Sequence, residues 1–205
     1  MEPFVRLAGL AAPMPLDNVD TDAIIPSRET RSVARDGYGE KLFANWRYTP
    51  GTRIENPDFV LNRPPWRQAR ILVARSNFGC GSSREAAVWS LLQFGIRCVI
   101  APSFGAIFRN NCIRNGLLPV TLGPDVVETL LTQAQAGAML EVDLEACAVT
   151  GADGRRYPFH IGALEREMLL EGLDEIALTL KRSTAIDAFR ARDRIARPWI
   201  HLPPR

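Results

Sequence analysis

Ile71-Leu72-Val73-Ala74-Arg75-Ser76-Asn77-Phe78-Gly79-Cys80-Gly81-Ser82-Ser83-Arg84-Glu85 joins a run that reads as a strand to one that reads as a helix. Ile71 to Ala74 is a short continuous apolar segment of the kind that makes a buried strand, and Glu85 to Phe94 carries Ala, Leu and Trp in helical density. Between them, Gly79 and Gly81 permit backbone angles with φ > 0 and let a ligand approach the main chain. The free N–H groups and positive dipole end of the following helix point back into this loop, which suits a carboxylate or phosphate. Two phosphate fingerprints fail here. A P-loop needs Lys and then Ser or Thr after its second glycine, whereas Gly81 is followed by Ser82-Ser83-Arg84. A dinucleotide loop needs a third glycine where Arg84 stands.

Outward from this loop the pattern is mixed α/β. Strands are predicted at Ala23-Ile24-Ile25, ended by Pro26, at Ile71–Ala74, at Cys98–Ala101 and at Leu118–Leu122. Helices are predicted from about Phe104 to Asn115, closed by Gly116, and from Pro124 to about Ala136. Residues Leu140–Val149 and Arg155–Phe159 read as strands around the turn Gly151-Ala152-Asp153-Gly154. The segment from Gly51 to Gln68, rich in Pro and Asn, reads as a long irregular connection, and the tail alternates helical stretches.

With 205 residues and 46% hydrophobic content, one domain spanning 1–205 with a C-terminal helical tail is expected. A net charge of +2 is too small to suggest nucleic acid as a partner. Met1 to Leu16 does not read as a signal peptide, and no segment approaches the length of a membrane span. Cys80, Cys98, Cys112 and Cys147 are spread without the closely spaced pair of a thiolate cluster site, so no metal is expected on this chain and a reducing, cytoplasmic location fits.

Several residues carry two readings. Ser82-x-x-Glu85 matches a capping box, in which the serine caps a helix and the glutamate reaches back; the same serine could be a reacting hydroxyl. A cap alone does not require two glycines, two hydroxyls and an arginine. Cys80 at a helix start has the electrostatics of a lowered thiol pKa, which gives a thiol-enzyme alternative, although His160 and His201 are remote in sequence. Asp17-Asn18-Val19-Asp20-Thr21-Asp22 lacks the glycine and terminal glutamate of a calcium loop and reads as a turn leading into a strand. A non-catalytic anion-binding module remains a separate reading of the whole.

The residues Asn77-Phe78-Gly79-Cys80-Gly81-Ser82-Ser83-Arg84-Glu85, Ile100-Ala101-Pro102-Ser103-Phe104 and Asn115-Gly116-Leu117-Leu118-Pro119-Val120 resemble the small subunit of 3-isopropylmalate dehydratase, in the aconitase superfamily. Asn18 to Pro26, Asn56 to Asn62, Glu171 to Asp174 and Leu178 to Leu180 are similar to that family at matching intervals, so the resemblance covers nearly the whole chain. It implies the swivelling β/β/α domain of that superfamily, a mixed sheet or barrel with flanking helices. It also implies a hydro-lyase that isomerises 2-isopropylmalate to 3-isopropylmalate in leucine biosynthesis, with Ser82 as catalytic base and Arg84 binding a substrate carboxylate. Ser83, Thr21 and Asp22 are implied to bind or orient the small di- or tricarboxylate substrate. The Lewis acid of such a reaction, one iron of a [4Fe-4S] cluster, is implied to reside on a large-subunit partner.

Two positions depart from the family pattern. Ala86 stands where members usually carry His, so that side chain's hydrogen bond is missing. After Ile24-Ile25-Pro26, where typical members carry an apolar pair, this chain has Ser27-Arg28-Glu29-Thr30-Arg31. If Arg28, Glu29 and Thr30 form the specificity loop, the substrate could instead be another malate, a citraconate-type acid or a tricarboxylic acid, since a methylene is worth only about 1–3 kcal/mol of discrimination.

Overall fold

The computed structural model describes residues 1–30, 36–81 and 83–200. Among these residues one mixed sheet is built from β1 (Arg6–Met14), β2 (Ile71–Ala74), β3 (Cys98–Ala101), β4 (Leu118–Thr121), β5 (Met139–Asp143), β6 (Ala148–Thr150) and β7 (Arg156–Pro158). Their order is β4-β3-β2-β1-β5-β6-β7. The half from β4 to β1 is parallel; β1 meets β5 antiparallel, and β5, β6 and β7 continue as antiparallel neighbours.

The central strand, β1, is absent from the sequence expectations. Its residues, Arg-Leu-Ala-Gly-Leu-Ala-Ala-Pro-Met, include none of the β-branched or aromatic types that mark strands. Small side chains are required where this strand crosses the middle of the molecule: Ala11 and Ala12 are fully buried, and a Cβ on Gly9 would lie 2.9 Å from Cβ of Arg70. Pro13 is tolerated because β1 changes partner along its length. Arg6 to Leu10 pair with β5 and Ala11 to Met14 pair with β2, so Pro13 lies beyond the β5 ladder and its missing N–H breaks no bond there.

Alternation along the strands divides the core in two. Ile71, Val73, Cys98 and Ile100 face a cluster with Val127, Leu130 and Leu131 of α5 (Pro124–Gln135) and Met168 and Leu169 of α6 (Ala163–Glu171). Leu72, Ala74, Val99 and Ala101 face the opposite cluster, with Ala87, Val88 and Leu91 of α3 (Glu85–Phe94) and Phe108 and Cys112 of α4 (Ala106–Asn115). The chain closes with α7 (Glu175–Leu180) and α8 (Ser183–Ala196).

Most predicted elements stand where the sequence puts them, including the left-handed Gly116 that ends α4 and the proline that starts α5. Two differ. Ala23-Ile24-Ile25 is not a strand: Thr21–Ile24 forms one helical turn, α1, because the Asp20 carboxylate accepts the Ala23 N–H at 2.7 Å. The apolar run is still buried, which is the signal the strand reading used. Residues 140–149 form two strands rather than one, reversing where Asp143 Oδ1 accepts the Ala146 N–H at 2.7 Å and Cys147 adopts φ 48°. Short 3-10 turns at Val60–Asn62 and Trp66–Gln68 punctuate the irregular connection, and the four-residue α2 (Ala44–Arg47) precedes it.

Helix α4 is tied to α6 by a two-pronged ion pair, with Arg109 Nη1 and Nη2 at 2.6 and 2.8 Å from the Glu165 oxygens. The hydrogen bond from Arg109 holds the Glu165 carboxyl below its ordinary range, against the opposing effect of burial. A carboxyl with a depressed folded pKa stabilises the protein above its unfolded pKa and loses that contribution as pH falls through the folded value. Glu165→Gln is therefore expected to lower stability by about 1 kcal/mol at pH 7. In urea titrations at several pH values the gap should be constant above about pH 5 and shrink towards pH 3.

Candidate active site

The loop after β2 lies at the carboxyl ends of the parallel strands, where open α/β sheets place their ligands. It is held between two flanking segments by backbone hydrogen bonds and isolated parallel bridges. On one side the Asn18 N–H donates to Ser76 O (2.9 Å), the Gly79 N–H to Val19 O (2.7 Å) and the Thr21 N–H to Cys80 O (3.0 Å). On the other, the Phe78 N–H donates to Ser103 O (3.1 Å) and the Gly105 N–H to Phe78 O (2.9 Å). Side chains repeat the pattern: Asp17 Oδ1 accepts the Ser76 N–H (2.9 Å), Ser103 Oγ accepts the Asn77 N–H (2.8 Å), and Asn77 Nδ2 donates to Asn18 Oδ1 (2.8 Å).

Glycine at 79 is dictated by close approach. Its φ is 73°, and an added Cβ would sit 2.2 Å from Cγ of Phe108, whose ring packs edge-on against Phe78. Gly105 approaches from the other side, where a Cβ would stand 2.4 Å from Gly79 O. Gly81 also has positive φ, 85°, but faces more open space.

Beyond the loop the helix starts later than a capping box at Ser82 requires. Arg84 is the N-cap residue of α3 and Glu85 is the first helical residue. The Glu85 carboxylate accepts from Asn115 Nδ2 at 2.9 Å, and Arg84 makes no capping hydrogen bond. The first-turn N–H groups of α3 are thus left without a cap from its N-cap residue. Ser82, the predicted catalytic base, lies outside the described residues, as do 31–35 and His201.

The Arg84 guanidinium, only 23% exposed, contacts the carboxylate of Asp22, which is 55% exposed, as an ion pair. Nη1 of Arg84 is buried, and this charge contact lacks the geometry of a directed hydrogen bond. The structure therefore brings together Arg84, Asp22 and the loop, with Thr21 buried at its edge and Ser83 exposed beside it.

A family model described as the aconitase C-terminal domain matches residues 1–125, and a LeuD_N model matches residues 128–163. The 3-isopropylmalate dehydratase small subunit of Cupriavidus necator is 57% identical over 206 residues, covering 98% of this chain and 99% of the relative. That of Cereibacter sphaeroides strain KD131 is 51% identical, covering 98% and 100%. The chain belongs to the family of 3-isopropylmalate dehydratase small subunits. A crystal structure of 3-isopropylmalate dehydratase from Methanocaldococcus jannaschii is similar in fold, with a TM-score of 0.64 and 30% identity, covering 90% of this chain and 99% of the other.

The polar run after Pro26 forms a 3-10 turn, Ser27–Thr30, in which Thr30 Oγ1 donates to Ser27 O at 2.9 Å. Glu29 is shielded between Arg53 at 2.6 Å and Arg28 at 3.5 Å. Arg28 and Glu29 line a cavity of about 310 Å³ together with Tyr48, Thr52 and Arg53; neither Asp22 nor Arg84 lines it. Ala86 is packed into the core beside Ala87 and Val88, so its methyl group is a packing element.

The electrostatics around Cys80 disfavour the thiol alternative. Burial and then the nearby Asp20 carboxylate push the Cys80 thiol up, the opposite of what a nucleophilic thiolate needs. The residues that sequence reasoning missed are those whose side chains brace the loop, namely Asp17 and Ser103, which accept its backbone N–H groups, and Asn18 and Asn77, which bond each other. Their signal was short side chains with hydrogen-bonding ends flanking strand ends, a pattern common to many ordinary turns.

The two loop glycines should respond differently. Gly81→Ala is expected to cost about 1–2 kcal/mol from the left-handed backbone alone, whereas Gly79→Ala, with its added collision against Phe108, should cost more than about 3 kcal/mol or prevent folding. Urea unfolding of the two variants measures the difference.

Proposed function

We propose that this chain is the small subunit of a hydro-lyase that isomerises 2-isopropylmalate to 3-isopropylmalate in leucine biosynthesis, acting with a large subunit that carries a [4Fe-4S] cluster. The observation that carries the reading is the joining of Arg84, Asp22 and the first turn of α3 at the mouth of a rigidly bound loop, in a chain of this family. One substrate carboxylate binds Arg84 through charge-assisted hydrogen bonds. Asp22 holds the guanidinium in place, and Ser83 and Thr21 border the site. Ser82, held as an alkoxide by the helix start and by Arg84, removes the carbon-bound proton and becomes neutral as negative charge develops on the substrate.

This chain's own thiols do not fit a cluster. Cys98 and Cys112 are fully buried and pushed up by burial, and the described residues include no group of three His, Cys, Asp or Glu placed to hold a metal. Departure of the substrate hydroxyl is assigned to the partner on the family resemblance, which implies a cluster on the large subunit. Among the described residues no helix is long and apolar enough to cross a membrane.

A second reading concerns the acid. Arg28 and Arg53 share the single carboxylate of Glu29, which leaves one net positive charge among these three and favours a substrate with an additional carboxylate. Turnover of 2-isopropylmalate, citramalate and homocitrate by the assembled enzyme, followed by absorbance of the unsaturated intermediate, separates the two.

Ser82→Ala in the assembled enzyme is expected to lower kcat by about 10²–10⁴-fold with KM little changed. A loss of only about 1 kcal/mol in stability with turnover retained is the outcome of a helix-capping serine in a binding module, and would contradict the reading.

A further inference from the structure

The outer surface of the C-terminal helices carries exposed apolar side chains and, among the described residues, has no covering element. Helix α7 is fixed to the body: Leu178 packs against the core, Arg114 Nε donates to Glu175 at 3.0 Å, and Lys181 Nζ reaches Glu167 at 2.6 Å and Glu171 at 2.7 Å. Its far side nevertheless presents Ile176, 70% exposed, and Leu180, 62% exposed, four residues apart and so on one face. Helix α8 buries none of its residues, and Phe189, Ile195 and the following Trp199 are 55%, 85% and 67% exposed. A helix of 14 residues is marginal in water without packing, and exposed apolar side chains gathered on adjoining elements mark an interaction surface.

Charge selects the occupant. Between positions 182 and 197 there are five arginines and two aspartates, and Arg182, Arg192 and Arg194 make no ion pair among the described residues. Two copies of such a helix face to face would oppose like charges, so the occupant is a different chain with an acidic rim. The relatives named small subunits match over 98% of this chain and nearly all of their own length, so this tail belongs to what those subunits share.

We infer that α7, α8 and Pro198–Ile200 form the surface on which the large subunit docks, through a groove of apolar side chains bordered by carboxylates. The inference rests on the reading of this chain as one half of a two-subunit enzyme. Docking through an element at the chain's end leaves the sheet and the loop at residues 76–84 unaltered, so binding and chemistry are separable.

Isothermal calorimetry of the full-length chain with the purified cluster-bearing large subunit tests it, using Phe189→Glu/Ile195→Glu and Ile176→Glu/Leu180→Glu, whose side chains are exposed. Each pair of substitutions is expected to weaken binding at least ten-fold with Tm unchanged, and to raise the large-subunit concentration needed for half-maximal turnover without lowering kcat at saturation. Arg192→Glu/Arg194→Glu should weaken binding and flatten its salt dependence. Unaltered affinity in the apolar variants, absence of wild-type binding, or a dimer of the small subunit alone that these variants dissociate would each overturn the inference. Tight, helix-dependent binding without turnover of any hydroxy acid would instead count against the proposed function and leave the docking surface standing.

Discussion

The site depends on the backbone hydrogen bonds that hold residues 76–80 between the segments 17–21 and 103–105. A glycine-rich loop with free φ and ψ would lose about 1–2 kcal/mol of conformational entropy per residue on ordering around a ligand. Here that ordering is part of the fold: Gly79 bonds Val19, Phe78 bonds Ser103, and Cys80 receives the amide of Thr21. The loop extends the β1-β2-β3 part of the sheet past its last regular residues, with isolated parallel bridges at Asp20 to Cys80 and Phe78 to Phe104. A rigid approach to α3 lets the helix start and Arg84 present fixed dipoles and a fixed charge, the condition under which electrostatic stabilisation of a transition state is effective.

The same threading decides which groups are active. Docking of the 17–22 segment against the loop brings Asp22 to Arg84 and, through Asp20, places a carboxylate beside Cys80. One consequence is a guanidinium oriented by its counter-ion; the other is a thiol kept protonated. Helix α4 completes the arrangement from behind, because Phe108 fills the space that any side chain on residue 79 would need.

Much of this was legible in the sequence, for identifiable reasons. Ile71 to Ala74 and Cys98 to Ala101 are buried on both faces, so their apolar runs are unbroken; Gly116 and Pro124 mark their helix boundaries by backbone geometry alone. The central strand was not legible, because close packing in the middle of the molecule selects Ala and Gly at Ala11, Ala12 and Gly9, residues that carry no strand signal. The turn at Thr21–Ile24 was misread since burial of Ile24 and Ile25 looks the same in a strand and in one helical turn. At the site, Arg84 and the glycines announced an anion cradle, but the ion pair with Asp22 joins residues 62 positions apart and has no local signature.

Hydrogen–deuterium exchange of the isolated chain, read at the amides of Phe78 and Gly79, tests the central claim most directly. Protection comparable to that of Val73 in β2, without partner or substrate, is the predicted result. Exchange of those two amides at the rate of an open surface loop would show that the loop is ordered by something other than its own sheet, and the account of a preformed site would be contradicted.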